Sequence, residues 1–167
     1  LNYLGFEGPE RNDEDTVMAN TYTSLYYHIV FSTKNRIKHI KPEIEQRVWE
    51  YIGGIARENK IIALQVGGSE DHVHMLVKAS PALAPSKIAQ LIKGGSSLWI
   101  HTEFPELRGF AWQEGYGAFT VSKSAVPGVQ GYIQNQRDHH HKMSFQEEFL
   151  EFLKKHGVDY DDRYLWD

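Results

Sequence analysis

Asp71-His72-Val73-His74-Met75-Leu76-Val77 sets two imidazoles one residue apart among apolar, strand-forming neighbours. Successive side chains of a β-strand point to opposite faces, so His72 and His74 share one face and Val73, Met75 and Val77 the other. Two imidazoles a pleat apart can hold one metal ion. The same pattern is also common among ordinary packed or surface histidines, so a metal centre here needs a further ligand and a task. Tyr132-Ile133-Gln134-Asn135-Gln136, later in the chain, reads as helix. Positions four apart on a helix share a face, which projects Tyr132 and Gln136 together, a phenol beside an amide.

On the N-terminal side, Lys60 to Val66 is a β-rich run that Gly67-Gly68-Ser69 turns into the His-x-His strand, giving a hairpin. Tyr22 to Phe31 is a first strand, and its His28 reads as a packed or hydrogen-bonded strand histidine. Lys34, Arg36, Lys38 and Lys41 follow, either a solvated loop or a clamp for backbone phosphates. Pro42 to Asn59 is a helix, with proline in its first turn and Ile44, Val48, Ile52 and Ile55 at helical spacing; Trp49 and Tyr51 are read as packing.

On the C-terminal side, Ala79-Ser80-Pro81 ends the strand and Pro85 to His101 is a second helix. Its Gly94-Gly95 pair costs about 1 kcal/mol per glycine against alanine, so a close approach or a kink is expected there. Lys87 and Lys93 on this helix are candidate phosphate contacts. Gly109 to Ser122, aromatic and β-branched residues broken by glycines, suggests two short strands or a bent one, with Tyr116 as strand packing. The order strand, helix, strand, strand, helix, strand predicts an α+β fold. It is a ferredoxin-like split βαβ antiparallel sheet with helices on one face, the other face left free.

Ser124 to Lys142 is then a third helix, bearing Tyr132 and Gln136 at the C-terminal end of the fold. Ser144 and Glu147 form a capping box for a last amphipathic helix through about His156, stopped by Gly157, with Phe145, Phe149, Phe152 and Leu153 as its apolar stripe. Tyr160, Tyr164 and Trp166 are expected to dock. Consecutive His139, His140 and His141 fan out around a helix and cannot all ligate one ion.

The 167 residues suit one domain with a core, and 41% hydrophobic content argues against wholesale disorder. Residues 1–20, acidic and aperiodic, are expected to be a disordered or artefactual extension, leaving 21–167 as a single domain. With no cysteine, neither a disulfide framework nor a thiolate zinc site is available, which fits a reducing, cytoplasmic setting. No apolar run is long enough for a membrane span, and the acidic N-terminus is unlike a signal peptide. The net charge of −4 is unevenly spread: residues 1–20 hold one basic and five acidic side chains, 147–167 three and seven, and 21–146 fourteen and ten. A mildly basic body permits phosphate binding without demanding it.

His72-Val73-His74 on a strand, with Tyr132 and Gln136 later, resembles the HUH single-strand endonucleases. Tyr22 to Arg36, Asp71 to Val77, Trp112-Gln113-Glu114-Gly115-Tyr116 and Tyr132 to Gln136, in that order, are more closely similar to the single-tyrosine transposases of the insertion-sequence-two-hundred type. The likeness spans about residues 21–167. It implies His72, His74 and Gln136 as metal ligands and Tyr132 as the nucleophile that attacks a DNA phosphate, leaving a 5′-phosphotyrosine link and a free 3′-hydroxyl. It also implies homodimers acting on hairpins near the ends of single-stranded element DNA, with no membrane partner. DNA contacts would fall to Lys34, Arg36, Lys38, Lys87 and Lys93.

The chemistry is consistent with those roles. A phenol, with a pKa near 10, needs help to ionise and to stabilise charge on a phosphate. Two neutral imidazoles and an amide oxygen leave a divalent ion its full charge and open positions, and such donors suit manganese or magnesium better than a closed zinc site. Retaining the phosphodiester as a tyrosyl ester lets strands be rejoined without ATP. Two other readings use the same residues: a non-catalytic hairpin-binding protein, as in a domesticated transposase, and a metal-stabilised interaction protein. Asp71 could orient an imidazole, but strand alternation points it away from His72, favouring a turn role.

Overall fold

The computed structural model describes residues 22–139 and 143–166. The extension expected over 1–20 lies outside them, as do His140 and His141. The described elements are β1 (Tyr26–Ser32), α1 (Pro42–Glu58), β2 (Ile62–Ser69), β3 (His72–Lys78), α2 (Pro85–Glu103), β4 (Gly117–Val121), α3 (Val126–Gln134), α4 (Gln136–His139) and α5 (Phe145–Lys155). The strands form one antiparallel sheet in the order β2-β3-β1-β4. Each βαβ unit skips one strand and that strand fills the gap, which is the split βαβ arrangement expected.

Strand periodicity builds the core. Ile29 and Phe31 of β1 and Val73, Met75 and Val77 of β3 point to one face, where they meet Val48 and Ile52 of α1 and Ile88 and Ile92 of α2. Each fully buried aliphatic side chain stabilises by about 2 kcal/mol, so this layer holds the scaffold together. The alternate positions go to the opposite face. There Val30 is paired with His74, Ser32 with His72 and His28 with Leu76.

That second face is not free. α3 packs there through Val126 and Ile133 on Tyr26 and Leu76, and α5 packs through Phe145, Phe149 and Leu153 on Val30 and Phe119. The stripe expected on α5 is therefore what covers the sheet. Ser144 accepts from the Glu147 backbone N–H while the Glu147 carboxylate accepts from the Ser144 N–H, completing the capping box, and Gly157 ends the segment at φ 62°.

Four expectations change. Gly67-Gly68-Ser69 belongs to β2, and the turn falls at Glu70-Asp71. The glycines serve close approach instead: a Cβ on Gly67 would lie 2.8 Å from the Ile133 carbonyl of α3, and one on Gly68 2.2 Å from the His72 carbonyl. Gly95 likewise admits Ile55 of α1, 2.9 Å from where its Cβ would stand. The third helix breaks at Asn135, whose backbone N–H and side-chain amide both donate to the Gly131 carbonyl, at 3.2 and 2.9 Å. Residues 109–122 give one strand plus a single bridge from Trp112 to Thr33, leaving Tyr116 exposed ahead of β4. In the tail Trp166 docks on Phe149, while Tyr164 is 70% exposed and Tyr160 39%.

Candidate metal centre and active site

β3 carries His72 and His74 to the middle of the covered face, and both rings are completely buried. Each is held at Nδ1 by a neighbour. Asp71 Oδ1 lies 2.7 Å from His72 Nδ1, and His28 Nε2 lies 2.9 Å from His74 Nδ1. A histidine fixed at one nitrogen presents the other in a defined direction, the usual arrangement behind a metal-binding imidazole. Strand alternation gave Asp71 the wrong direction because it stands in the turn, where the pleat no longer governs side-chain direction.

The Nε2 atoms meet oxygen donors. His72 Nε2 lies 3.2 Å from Gln136 Oε1, and His74 Nε2 lies 3.4 Å from Glu148 Oε2. Gln136 Nε2 donates to Glu148 Oε1 at 2.9 Å, turning the amide oxygen toward His72. Atoms of His72, His74 and Glu148 all fall within 4.8 Å of one another. Two imidazole nitrogens and two oxygens of this kind fit a divalent ion: nitrogen and oxygen donors, no sulfur, one negative charge. Burial pushes the Glu148 carboxyl up to about 7 against the opposing pull of His72. Burial foremost, then His74, His156 and Lys155, drives His28 well below its usual value, so it meets His74 as a neutral ring.

Tyr132, half-buried on α3, approaches from another side. Its ring centroid lies 5.9 Å from that of His74 and 6.3 Å from that of His28, both edge-on. The break at Asn135 separates it from Gln136, yet both residues reach the histidines. Phe145 stacks on His72 at 4.8 Å between centroids, and Phe152 meets the rings of His28, His74 and Tyr132.

The expected DNA contacts are dispersed. Lys34 and Lys38 are exposed beyond the end of β1, Lys38 within 3.6 Å of Glu70. They flank a cleft of about 680 Å³ only through Lys38, which lines it with Asp71, Arg137 and Phe145 at the rim of the histidine face. A larger hollow of about 1130 Å³ between α1 and β2 holds none of the histidines. Arg36 is half-buried, its guanidinium 5.5 Å from the Trp166 ring. Lys87 and Lys93 sit on α2, in the layer across the sheet from the histidines. The Lys93 ammonium donates to the carbonyls of Gln113, Glu114 and Gly115 at 2.5, 2.8 and 3.0 Å, so it clamps a loop where a phosphate contact was expected.

The sequence reading passed over Glu148; His28 is the packed, hydrogen-bonded strand histidine expected, but its partner, His74, was not foreseen. Glu148 carried a signal: it falls three after Phe145 and four before Phe152, placing a carboxylate on the apolar stripe of α5. His28 carried none, since pairing between β1 and β3 is what sets it beside His74.

Known proteins are similar to this chain in sequence and fold. The family model of IS200-like transposases matches residues 21–136. The ISDra2 transposase TnpA of Deinococcus radiodurans is 28% identical over 119 residues, spanning 68% of this chain and 85% of that protein. The transposase of insertion sequence IS200 from Salmonella typhimurium is 30% identical over 129 residues, spanning 74% and 84%. The crystal structure of a candidate transposase from Deinococcus radiodurans R1 is similar with a TM-score of 0.59 at 27% identity, covering 70% of this chain and 94% of that one. A REP-associated tyrosine transposase solved bound to a REP hairpin aligns with a TM-score of 0.54 at 15% identity, over 72% of this chain and 71% of that one, a likeness of fold.

Proposed function

The chain belongs to the IS200-like transposase family, and from that premise we propose that it cleaves and rejoins single-stranded, hairpin-bearing DNA through a 5′-phosphotyrosine link on Tyr132. One observation carries this reading: in a single chain, the Nε2 atoms of His72 and His74, the Gln136 amide oxygen and the Tyr132 ring converge on one patch of one sheet face.

In this reading His72, His74 and Gln136 hold a divalent ion, manganese or magnesium. When bound, it supplies Lewis acidity and a template for the scissile phosphate oxygens. Asp71 and His28 keep the imidazoles oriented. The Tyr132 oxygen loses its proton and forms a bond to phosphorus. The bond from phosphorus to the 3′ oxygen breaks, and that oxygen leaves as a hydroxyl after taking up a proton. Rejoining runs the same exchange backward, a 3′-hydroxyl attacking the tyrosyl ester, so no external energy source is needed. Lys34 and Lys38 are the exposed cations nearest the end of β1 and the ones best placed to meet backbone phosphates. α5 has to withdraw for DNA to reach the histidines.

The family resemblance supports a homodimer as the active unit. A protein of the same fold is known with a REP hairpin bound, which makes hairpin DNA the first ligand to test. The α5 cover favours, as second reading, a hairpin-binding protein that does not cut. A denaturing gel separates the two. Wild-type protein with Mn²⁺ and a labelled single-stranded hairpin is expected to give a covalent adduct that Tyr132→Phe abolishes while retaining binding. Adduct formation by Tyr132→Phe removes Tyr132 from the role, and binding by wild type with no adduct favours the non-catalytic reading.

A further inference from the structure

Residue 136 ends the stretch that matches the family, yet the donor set does not end there. α5 begins at Phe145 and places Glu148, 2% exposed, against the two histidines and the glutamine. We propose that Glu148 is a fourth, anionic ligand of the metal centre, so that the C-terminal helix of this chain is fastened to the ion itself. The inference rests on the metal-dependent reading above.

The two carboxylate oxygens do different things. Oε1 accepts from Gln136 Nε2 at 2.9 Å, which presents the amide oxygen to the ion; Oε2 faces His74 Nε2 at 3.4 Å. Both Nε2 atoms, Gln136 Oε1 and Glu148 Oε2 thus border one small space, since atoms of His72, His74 and Glu148 lie within 4.8 Å of each other. A cation seated in that space would meet these four donors. A carboxylate added to three neutral donors reduces the local charge of a divalent ion by one and raises affinity for hard oxygen-preferring metals. The helix is built to deliver it: the capping box fixes the start of α5, and Phe145, Phe149 and Leu153 bury the face on which Glu148 stands.

The test is Co²⁺ titration of the full chain, followed by visible absorption, with wild type, Glu148→Gln, His72→Ala and His74→Ala compared. Glu148→Gln is expected to weaken Co²⁺ binding at least tenfold and to change the absorption bands, which report the ligand set rather than helix stability. Wild-type affinity and spectrum in Glu148→Gln, with binding lost in the histidine variants, would overturn the role of Glu148 and leave the metal centre standing. Unchanged binding in both histidine variants would overturn the centre and this inference together. Should Glu148→Gln fail to fold, wild-type crystals soaked in Mn²⁺ decide. An anomalous peak roughly 2.0–2.3 Å from a Glu148 oxygen supports ligation; a peak with the carboxylate outside bonding range, or no peak, overturns it.

Discussion

Asp71 and His28 each hold an imidazole at Nδ1, the nitrogen opposite the proposed ligand atom, and such partners typically govern metal affinity by ten- to a hundredfold. Asp71→Asn and His28→Ala are each expected to weaken Mn²⁺ binding within that range, measured calorimetrically, while leaving the fold intact. At this scale legibility was uneven. His72 and His74 share a face because strand periodicity acts locally, whereas the continuous helix face expected to carry Tyr132 and Gln136 together is interrupted at Asn135, and the two residues reach the histidines from separate helices. Asp71 was misjudged because a turn residue escapes strand alternation, and His28 depended on the register that pairs Val30 with His74. Glu148 was visible as a misplaced charge on an apolar stripe, and its partners come from elements distant in sequence.

Elements raise a different question, why some glycines matter and others do not. Gly94→Ala meets nothing within 4 Å and gains helix propensity, so it is expected to stabilise by about 1 kcal/mol. Gly67→Ala would press on the Ile133 carbonyl 2.8 Å away and lever α3 off the sheet; a loss of about 1–3 kcal/mol in denaturant unfolding is expected. The cap of α5 gives a pH dependence. Backbone and side-chain hydrogen bonds from Ser144 hold the exposed Glu147 carboxyl below its usual range. A group depressed on folding contributes stability above its unfolded pKa and loses it as pH falls through the folded value. Glu147→Gln should therefore be less stable than wild type at pH 7, and the difference in urea midpoint should shrink and vanish as pH falls through the depressed carboxyl's own titration, below the usual carboxylate range. The helices and the capping box were legible from periodicity and cap chemistry. The break at Asn135 and the shift of the hairpin turn to Glu70-Asp71 were not: the first is a local cap, the Asn135 side-chain amide taking the Gly131 carbonyl of its own helix, which apolar periodicity does not register, and at the second α3 lies close over Gly67.

For the molecule as a whole, the sheet order followed from the succession of elements, whereas the closing of its second face did not. Nothing in a ferredoxin-like order says that a later amphipathic helix will fold back onto the sheet. That closing bears on time as well as structure. Both imidazoles are fully enclosed, so an ion lodged between them is out of reach of solutes until α5 lifts. Stripping a loaded sample with EDTA in a stopped-flow mixer should accelerate with chelator only up to a plateau, the plateau being the frequency with which the helix opens. Proportional acceleration without limit would mean that the face stands open in solution. On the proposed reading DNA would wait on the same opening, turnover would not outpace it, and mutations that loosen Phe145 or Phe152 should raise both rates in step.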